Sequence, residues 1–308
     1  MRILRDISPV GPKERGAVMA LGNFDGLHLG HQAVIRQTLA LAKQCKKPAA
    51  LMTFEPHPRR VFKPDLPTLR LLSFHDKARK LKEMGLDFIR VVHFTRVFSE
   101  TSARSFITGM LGREMGVSHI VTGEDFIFGH NREGNTAYLR QMTQEAGFGF
   151  TPCAAIMKQG ARCSSTRIRS LLQKGDMKEA AFLLGRPYSI TGRVQAGDKR
   201  GRTLGFPTAN IVPYDLFTPA AGVYAVRAQL DGKTVSGVAN LGMRPTFGGT
   251  RTQLEVHFFD WQGDLYGKRI EVMFAGYLRG EKKFADVNAL KTQIEQDCKK
   301  AKTLLAGE

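Results

Sequence analysis

Two histidines near the start of the chain, His28 and His31, are the side chains best suited to chemistry. They lie in LGNFDGLHLGH, residues 21–31. The apolar run 17–21 before this motif predicts a strand, and the apolar spacing of residues 32–43 predicts a helix. The start of such a helix carries unpaired N–H groups and partial positive charge, so it attracts phosphate. Histidines three positions apart share one side of the first turn and can donate hydrogen bonds to charge developing on phosphorus.

Two other interpretations of the histidine pair remain open. The first is a pair of ordinary surface histidines on a capped helix. This interpretation is less favoured, because the two histidines form an H-x-G-H motif directly after a predicted strand. The second is a zinc site, since histidines at this spacing can bind metal. Zinc is disfavoured because no cysteine is nearby and Asp25 is the only close carboxylate.

Composition indicates a globular protein with room for two domains. The chain has 308 residues, of which 42% are apolar and 24% are charged. Its 46 basic and 28 acidic residues give a net charge of +18, which suits either a nucleic-acid binder or an enzyme that binds polyanions such as ATP. No zinc-finger spacing or clear RNP-type aromatic motif supports the nucleic-acid alternative. We therefore expect small-molecule partners and no nucleic acid.

The sequence also predicts a cytoplasmic location. Residues 1–16 mix acidic and basic side chains and do not resemble a signal peptide. No apolar run approaches the length of a membrane span, so we expect no membrane partner. The four cysteines are scattered without C-x-x-C pairing, which suits free thiols in a reducing compartment. The sequence is silent on oligomeric state.

The first part of the chain alternates strands with helices, which predicts a parallel, doubly wound sheet. Such sheets bind ligands at the carboxyl ends of their strands. Further strands are predicted at 49–54, 88–94 and 119–122, and helices at 76–84 and 103–115.

Two loops should share this edge of the sheet. They are FEPHP (54–58) and GEDFIFG (123–129). Phe54 and Phe62 could offer apolar faces to a flat ring, although each such residue, taken singly, more often belongs to the core.

SSTRIR, residues 164–169, resembles a second phosphate-binding element. Hydroxyls at a helix start cap free N–H groups, and Arg169 lies one turn beyond Ser165. Hydroxyls, N–H groups and a guanidinium at one helix end would form a triphosphate clamp. The alternative, a simply capped surface helix, is equally compatible with this motif taken alone.

The pattern changes at 185–187. From there, short alternating runs predict an antiparallel barrel or sandwich, and residues 285–305 predict a final helix on its outside. The runs lie at 188–194, 222–230, 234–240, 253–260 and 268–275. We therefore place one domain at 1–184 and a second at 185–308.

A Gly-rich basic stretch, GDKRGRTLGFPTAN at 197–210, is the most distinctive part of the second domain. It ends in a Thr and an Asn that could offer oxygens to Mg²⁺. It is not a Walker A loop, and a flexible basic hairpin loop is the alternative.

Farther on, Glu255 and His257 share one face of a predicted strand. Glu255 could take a proton from a hydroxyl that attacks a γ-phosphate, although an exposed strand glutamate is the ordinary interpretation.

Taken together, these motifs resemble the bacterial bifunctional riboflavin kinase/FMN adenylyltransferase family, also called FAD synthetases. The matching motifs run in family order across nearly the whole chain. They are LGNFDGLHLGH, TFEPHP, GEDFIFG, SSTRIR, LLGRPY, GDKRGRTLGFPTAN, GVANLGMRPTF, LYGKRI and GYLRGEKKF. The two departures from the family pattern are Cys163, where Val or Ile is usual, and Asn135, where an acid is common.

The resemblance implies an N-terminal Rossmann-like nucleotidyltransferase domain and a C-terminal six-stranded barrel kinase. It implies that riboflavin is phosphorylated by ATP to FMN, and that FMN is adenylylated by a second ATP to FAD with release of pyrophosphate. A monofunctional enzyme with one degenerate domain is the alternative, for which Asn135 is the only hint.

The resemblance also implies roles for individual residues. In the first domain, His28 and His31 are the expected catalytic residues. The expected ATP-binding residues there are Asn23, His28, His31, Ser165, Thr166 and Arg169. The expected flavin-binding residues there are Phe54, Pro56, Phe62, Asp125 and Phe128. In the kinase domain, Glu255 is the expected base, and Thr208 and Asn210 the expected Mg²⁺ ligands. The expected ATP-binding residues of the kinase are Gly197, Lys199, Gly205, Pro207, Thr208 and Asn210.

Overall fold

A parallel sheet and a closed antiparallel barrel are the two frameworks of the chain. The computed structural model describes residues 1–5, 8–65, 67–197, 201, 204–246 and 249–307. Contacts divide the chain into two units. The sheet unit comprises Met1–Thr68 and Phe74–Ser164, and the barrel unit comprises Leu69–Ser73 and Ser165–Glu308.

The sheet unit contains a six-stranded sheet whose neighbouring strands are all parallel. Its strands are β1 (Arg2–Arg5), β2 (Val18–Leu21), β3 (Ala49–Glu55), β4 (Phe88–His93), β5 (His119–Gly123) and β6 (Gly149–Cys153). Their order in the sheet is β1-β4-β3-β2-β5-β6, which confirms the predicted parallel fold. A small hairpin, β7 (Met157–Lys158) and β8 (Ala161–Arg162), follows.

Helices connect these strands, and apolar side chains fill the space between the layers. They are α1 (Leu29–Cys45), α2 (Pro58–Phe62), α3 (Phe74–Glu83), α4 (Arg96–Ser99), α5 (Ala103–Ser105) and α6 (Thr136–Ala146). A short 3₁₀ turn, His130–Arg132, precedes α6. β2 is buried along its whole length, as expected for a central parallel strand covered on both faces.

Helix α1 begins three residues earlier than the sequence pattern predicts. His28 is its N-cap: the Nδ1 atom of this side chain accepts a hydrogen bond from the backbone N–H of His31. Histidine is not among the usual capping residues, so the sequence pattern placed the first residue of the helix at position 32. The cap fixes both histidines at the positive end of the helix.

The helix predicted at 103–115 is only partly α-helical. It begins as α5 and continues as a π-helix over Phe106–Glu114. The wider turn is visible at its end, where the N–H of Met115 donates to the carbonyl of Met110, five residues back. π-Helical turns are often found at functional sites, and this one begins at an aromatic residue described below.

The barrel unit closes six antiparallel strands into a ring. Its strands are β9 (Tyr188–Gln195), β10 (Ala209–Ile211), β11 (Gly222–Leu230), β12 (Lys233–Thr246), β13 (Gly249–Phe258) and β14 (Arg269–Arg279). The order around the barrel is β10-β13-β12-β11-β14-β9. The six-stranded barrel implied by the family resemblance is therefore confirmed.

Helices accompany the barrel. Those with described bounds are α7 (Ser165–Gln173), α8 (Met177–Leu184) and α9 (Val287–Ala306). α9 lies against β11, β12 and β14, and the Arg279 guanidinium at the end of β14 pairs with the buried Asp297 of α9 at 2.7 Å. The predicted domain boundary at 184/185 stays a prediction; by contacts, α7 and α8 belong to the barrel unit. Among the described residues, no helix is both long and apolar enough to cross a membrane.

Candidate active sites

The turn between β2 and α1 holds His28 and His31 in direct contact. Their rings stack with centroids 3.6 Å apart and planes 20° apart. Gly30 makes this possible, because a Cβ atom there would lie 3.1 Å from the His28 ring, closer than side chains ordinarily pack. The two imidazoles therefore form one unit at the positive end of α1.

His31 is buried and surrounded by positive charge. Burial is the main cause that lowers its pKa well below the ordinary value, and His28, Lys77 and Arg162 add to the effect. Within the described part of the chain, the Nδ1 atom of His31 and the Oδ1 atom of Asn23 are buried without a hydrogen-bond partner. Such atoms are costly to leave unsatisfied, so they are available for hydrogen bonds to a ligand.

Lys77, on α3, is a residue of this site that the sequence interpretation missed. Its side chain is 6% exposed, and its Nζ atom lies 3.1 Å from the carbonyl oxygen of Asn23. It also lies 3.3 Å from Oε1 of Glu55 and 3.4 Å from Oγ1 of Thr53. The available signal was its spacing, which puts Lys77 on the same helical face as the buried Ala78 and Leu81.

The predicted flavin-binding aromatics belong to one connected row of rings. Phe54, at the end of β3, contacts the rings of Phe94, Phe98 and Phe106 with centroids 6.0–6.5 Å apart. At one end, Phe62 meets Phe94 at 5.9 Å. The other end of the row continues from Phe106 to Phe128 and then to Phe126. The sequence interpretation selected Phe54, Phe62 and Phe128 but missed the intervening rings, which come from separate elements.

Polar contacts connect this row to the histidine turn. Thr53, next to Phe54, donates from its hydroxyl to the carbonyl of Asn23 at 3.1 Å. Pro56, another predicted flavin-site residue, follows β3 through a cis peptide bond. The carboxylate of Asp125, beyond the end of β5, pairs with Arg162 at 2.6 Å. The Thr53 hydrogen bond thus places the Phe54 end of the row beside the turn.

Ser165, Thr166 and Arg169 lie on α7, which belongs to the barrel unit. Ser165 is the first residue of the helix, and Thr166 is exposed. The Nε atom of Arg169 donates to the carbonyl of Leu69 at 2.6 Å. Arg169 therefore has a structural contact within its own unit, in addition to the phosphate-binding role predicted for it.

The candidate kinase site is on the outer face of the barrel. Asn210 of β10 and Glu255 of β13 are direct cross-strand partners, so their side chains share one face. The neighbouring Leu254 and Val256 are fully buried and point the other way. Asn210 is itself buried, and its Oδ1 atom accepts a hydrogen bond from Gln253 at 2.6 Å.

Two glycines before β10 lie where a larger residue would not fit. A Cβ atom on Gly197 would lie 2.6 Å from Cγ and 2.7 Å from Oδ1 of Asn210, and one on Gly201 would lie 2.5 Å from the carbonyl oxygen of Phe206. Gly205 has a φ of +88°, which favours glycine. Of the remaining predicted ATP-binding residues, Lys199 falls outside the described residues.

Pro207 and His257 hold the other end of this loop. The Nδ1 atom of His257 donates to the carbonyl of Pro207 at 3.0 Å, and the ring of Phe206 contacts His257 edge-on at 5.4 Å. These contacts dock the loop on β13, the strand that also carries Glu255.

Thr208 and Asn210 are two residues apart, and both offer hard oxygen donors of the kind that Mg²⁺ prefers. Among the described residues, no group of three or more His, Cys, Asp or Glu is arranged to hold a metal ion.

The two departures from the family pattern occupy structural positions. Asn135 is the N-cap of α6, where its Oδ1 atom accepts from the N–H of Tyr138 at 2.9 Å. An aspartate would cap this helix equally well. Cys163 is 3% exposed, and its N–H donates to the carbonyl of Ile156. Neither departure removes a contact that the structure would need at these positions.

Comparison with known proteins covers both units. A family model described as FAD synthetase matches residues 11–167, and one described as riboflavin kinase matches residues 184–305. A solved structure from Streptococcus pneumoniae, described as a macrolide-efflux protein, superposes with a TM-score of 0.87 at 30% identity. The match covers 96% of this chain and 97% of that one.

Two curated relatives carry the same name, bifunctional riboflavin kinase/FMN adenylyltransferase. The protein from Escherichia coli (strain K12) is 40% identical over 300 residues, which cover 96% of each chain. The protein from Haemophilus influenzae is 40% identical over 303 residues, or 98% of each chain. With both family models matched in order and this identity along nearly the whole length, the chain belongs to the bifunctional riboflavin kinase/FMN adenylyltransferase family.

Proposed function

We propose that the sheet unit carries out adenylyl transfer and that the barrel unit carries out riboflavin phosphorylation. The chain converts riboflavin and ATP to FMN and ADP, and it converts FMN and a second ATP to FAD and pyrophosphate. The order of the two family-model matches along the chain supports this division of labour.

In adenylyl transfer, a phosphate oxygen of FMN attacks the α-phosphorus of ATP, and pyrophosphate leaves. His28 and His31 donate hydrogen bonds to the phosphate oxygens as charge develops on them. Asn23 offers its side-chain oxygen to an N–H or O–H of the nucleotide. The observation that carries this proposal is the pair of buried polar atoms, on Asn23 and His31, that have no partner among the residues the structure describes.

The row of aromatic rings supplies the apolar face for the flavin. Phe54, Phe62 and Phe128 lie along it, and Pro56 and Asp125 flank the same edge of the sheet. Phe62 is 54% exposed, so it is available to cover a flat ring system. Stacked or edge-on aromatic contacts contribute about 0.5–1.5 kcal/mol beyond the apolar area that they bury.

In the barrel unit, Glu255 accepts the proton of the ribityl hydroxyl as this hydroxyl attacks the γ-phosphate. Thr208 and Asn210 would hold Mg²⁺, which when bound neutralises charge on the transferred group. The oxygen donors of these residues and the close approach that Gly197 allows to Asn210 support this assignment. Mg²⁺ is therefore the expected cofactor, with ATP as co-substrate.

Other assignments rest mainly on sequence motifs and stay predictions. Ser165, Thr166 and Arg169 are expected to bind the triphosphate in adenylyl transfer. Gly197, Lys199, Gly205 and Pro207 are expected to bind ATP in the kinase. The cytoplasm is the expected location, in keeping with four free cysteines, and cell fractionation would test it.

A crossed assay tests the residue assignments. The purified chain and two variants are incubated with ATP, Mg²⁺ and either riboflavin or FMN, and the flavins are separated by chromatography. His28→Ala should still make FMN but lose FAD formation. Glu255→Gln should lose about 100- to 10,000-fold in FMN formation, yet convert supplied FMN to FAD at the parent rate. Excess EDTA should stop FMN formation.

The contrary outcomes are equally clear. If FAD formation survives His28→Ala, the histidine pair does not have the role proposed here. If Glu255→Gln phosphorylates riboflavin at the parent rate, Glu255 is not the base. The retained reaction shows that the other unit has folded, and circular dichroism and thermal unfolding of each variant check the unit that carries the substitution.

A further inference from the structure

A lysine buried beneath the histidine turn has no role in the chemistry described so far. The side chain of Lys77 is 6% exposed, although the sequence around it, DKARKLK, is rich in charged residues. Lys82, on the same helix, is exposed. Burying an ammonium group is costly unless its charge and its hydrogen bonds are compensated, so this position calls for a physical explanation.

Protein oxygens from three residues lie within reach of the Lys77 ammonium group. They are the Asn23 carbonyl at 3.1 Å, the Glu55 carboxylate at 3.3 Å and the Thr53 hydroxyl at 3.4 Å. An ammonium group has three N–H donors, and these protein oxygens can accept hydrogen bonds from them. Lys77 is therefore directed at the protein, unlike a phosphate-binding lysine that reserves its donors for the ligand.

The acceptors belong to two different elements. Thr53 and Glu55 lie at the end of β3, whereas Asn23 begins the turn that leads to His28 and His31. Thr53 also donates to the same Asn23 carbonyl at 3.1 Å. Lys77 thus fastens the backbone of the turn to the strand that carries Phe54.

We propose that Lys77 is a positioning residue for adenylyl transfer, which holds the Asn23 turn and the histidine pair in register with the end of β3. This inference rests on the proposed assignment of adenylyl transfer to the sheet unit. Lys77 has a second effect: with burial, His28 and Arg162, its charge helps to hold the pKa of His31 below the ordinary value.

The test compares Lys77→Met with Lys82→Met, a matched substitution on the exposed face of the same helix. Steady-state kinetics of FAD formation from supplied FMN should show kcat lowered by about 10- to 100-fold in Lys77→Met, because a misplacement of about 1 Å has effects of this size. The KM for ATP should change little, and FMN formation from riboflavin should stay within twofold of the parent. Lys82→Met should match the parent in both reactions.

Two further measurements separate positioning from simple stabilisation. The double variant Lys77→Met/Glu55→Met also removes the carboxylate that faces the Lys77 ammonium group, so it should regain the thermal stability that the single variant loses while kcat stays low. NMR titration of the ¹⁵N-labelled His31 ring should show its pKa raised in Lys77→Met, since a positive charge nearby has been removed.

The proposal is overturned if kcat for FAD formation in Lys77→Met stays within twofold of the parent. It is also overturned if the double variant recovers both stability and kcat, because Lys77 would then act only by compensating Glu55. Failure of the proposed adenylyl-transfer site at the histidine pair gives a different result: FAD formation would survive His28→Ala in the same assay.

Discussion

Substitution of Gly197 by alanine should selectively damage riboflavin phosphorylation. The added Cβ atom would lie 2.6 Å from Cγ and 2.7 Å from Oδ1 of Asn210. Ordinary contact begins near 3.4 Å, so either the loop or the Asn210 amide must shift by about 1 Å, and a misplacement of this size costs about 100-fold in rate. Overpacking of this kind also costs about 1–3 kcal/mol in the free energy of unfolding.

The assay follows FMN formation from riboflavin and FAD formation from supplied FMN in the same preparation. We expect Gly197→Ala to lower kcat/KM for phosphorylation by about 100-fold and to leave FAD formation unchanged. Gly263→Ala is the matched control, because the nearest atoms to its new Cβ lie 3.4 Å away, on the Trp261 ring. Parent-like phosphorylation by Gly197→Ala would refute the reasoning, since the position of Asn210 would then not matter to the reaction.

Two other predictions concern the sheet unit. Phe62→Ala should raise the KM for FMN in FAD formation by about 2- to 10-fold, which corresponds to the loss of one aromatic contact. The unfolding temperature should not change, because Phe62 is 54% exposed. An unchanged KM would show that Phe62 does not bind the flavin. ATP binding at the histidine pair should take up a proton. The pKa of His31 in the free protein lies well below its ordinary value, and the negative charge of a bound triphosphate raises this pKa. Binding of ATP should therefore strengthen as the pH falls through the pKa that His31 has in the complex. Calorimetry in two buffers with different ionisation enthalpies measures this uptake, and a His31→Asn variant with the same uptake as the parent would contradict it.

Regular apolar patterns were sufficient to predict most of the strands and several helices. β11 matches its predicted bounds, Gly222–Leu230, because a long alternating run bounded by turn residues is typical of a strand and of few other structures. β1 was missed because Arg2–Arg5 contributes only two apolar residues and owes its strand conformation to pairing with β4. α6 was missed as well, since its surface is largely polar and only Leu139, Met142 and Thr143 are buried.

The candidate sites were predictable where a local motif supplies the chemistry. The H-x-G-H motif identified both histidines because glycine, turn and helix start are adjacent in sequence. Lys77 could not be found in this way, because its partners Asn23 and Glu55 are 54 and 22 residues away. Only the folded sheet brings them together, and the same is true of the rings that separate Phe54 from Phe62 and Phe128.

The N-cap of α1 has a consequence for the protons at the histidine pair. A backbone N–H can only donate, so the Nδ1 atom of His28, which accepts the N–H of His31, must carry a lone pair. Neutral His28 is thereby locked in the tautomer whose hydrogen is on Nε2, and protonating Nδ1 would sacrifice the cap. The way the helix begins thus selects, before any nucleotide arrives, which nitrogen of His28 can offer it a proton.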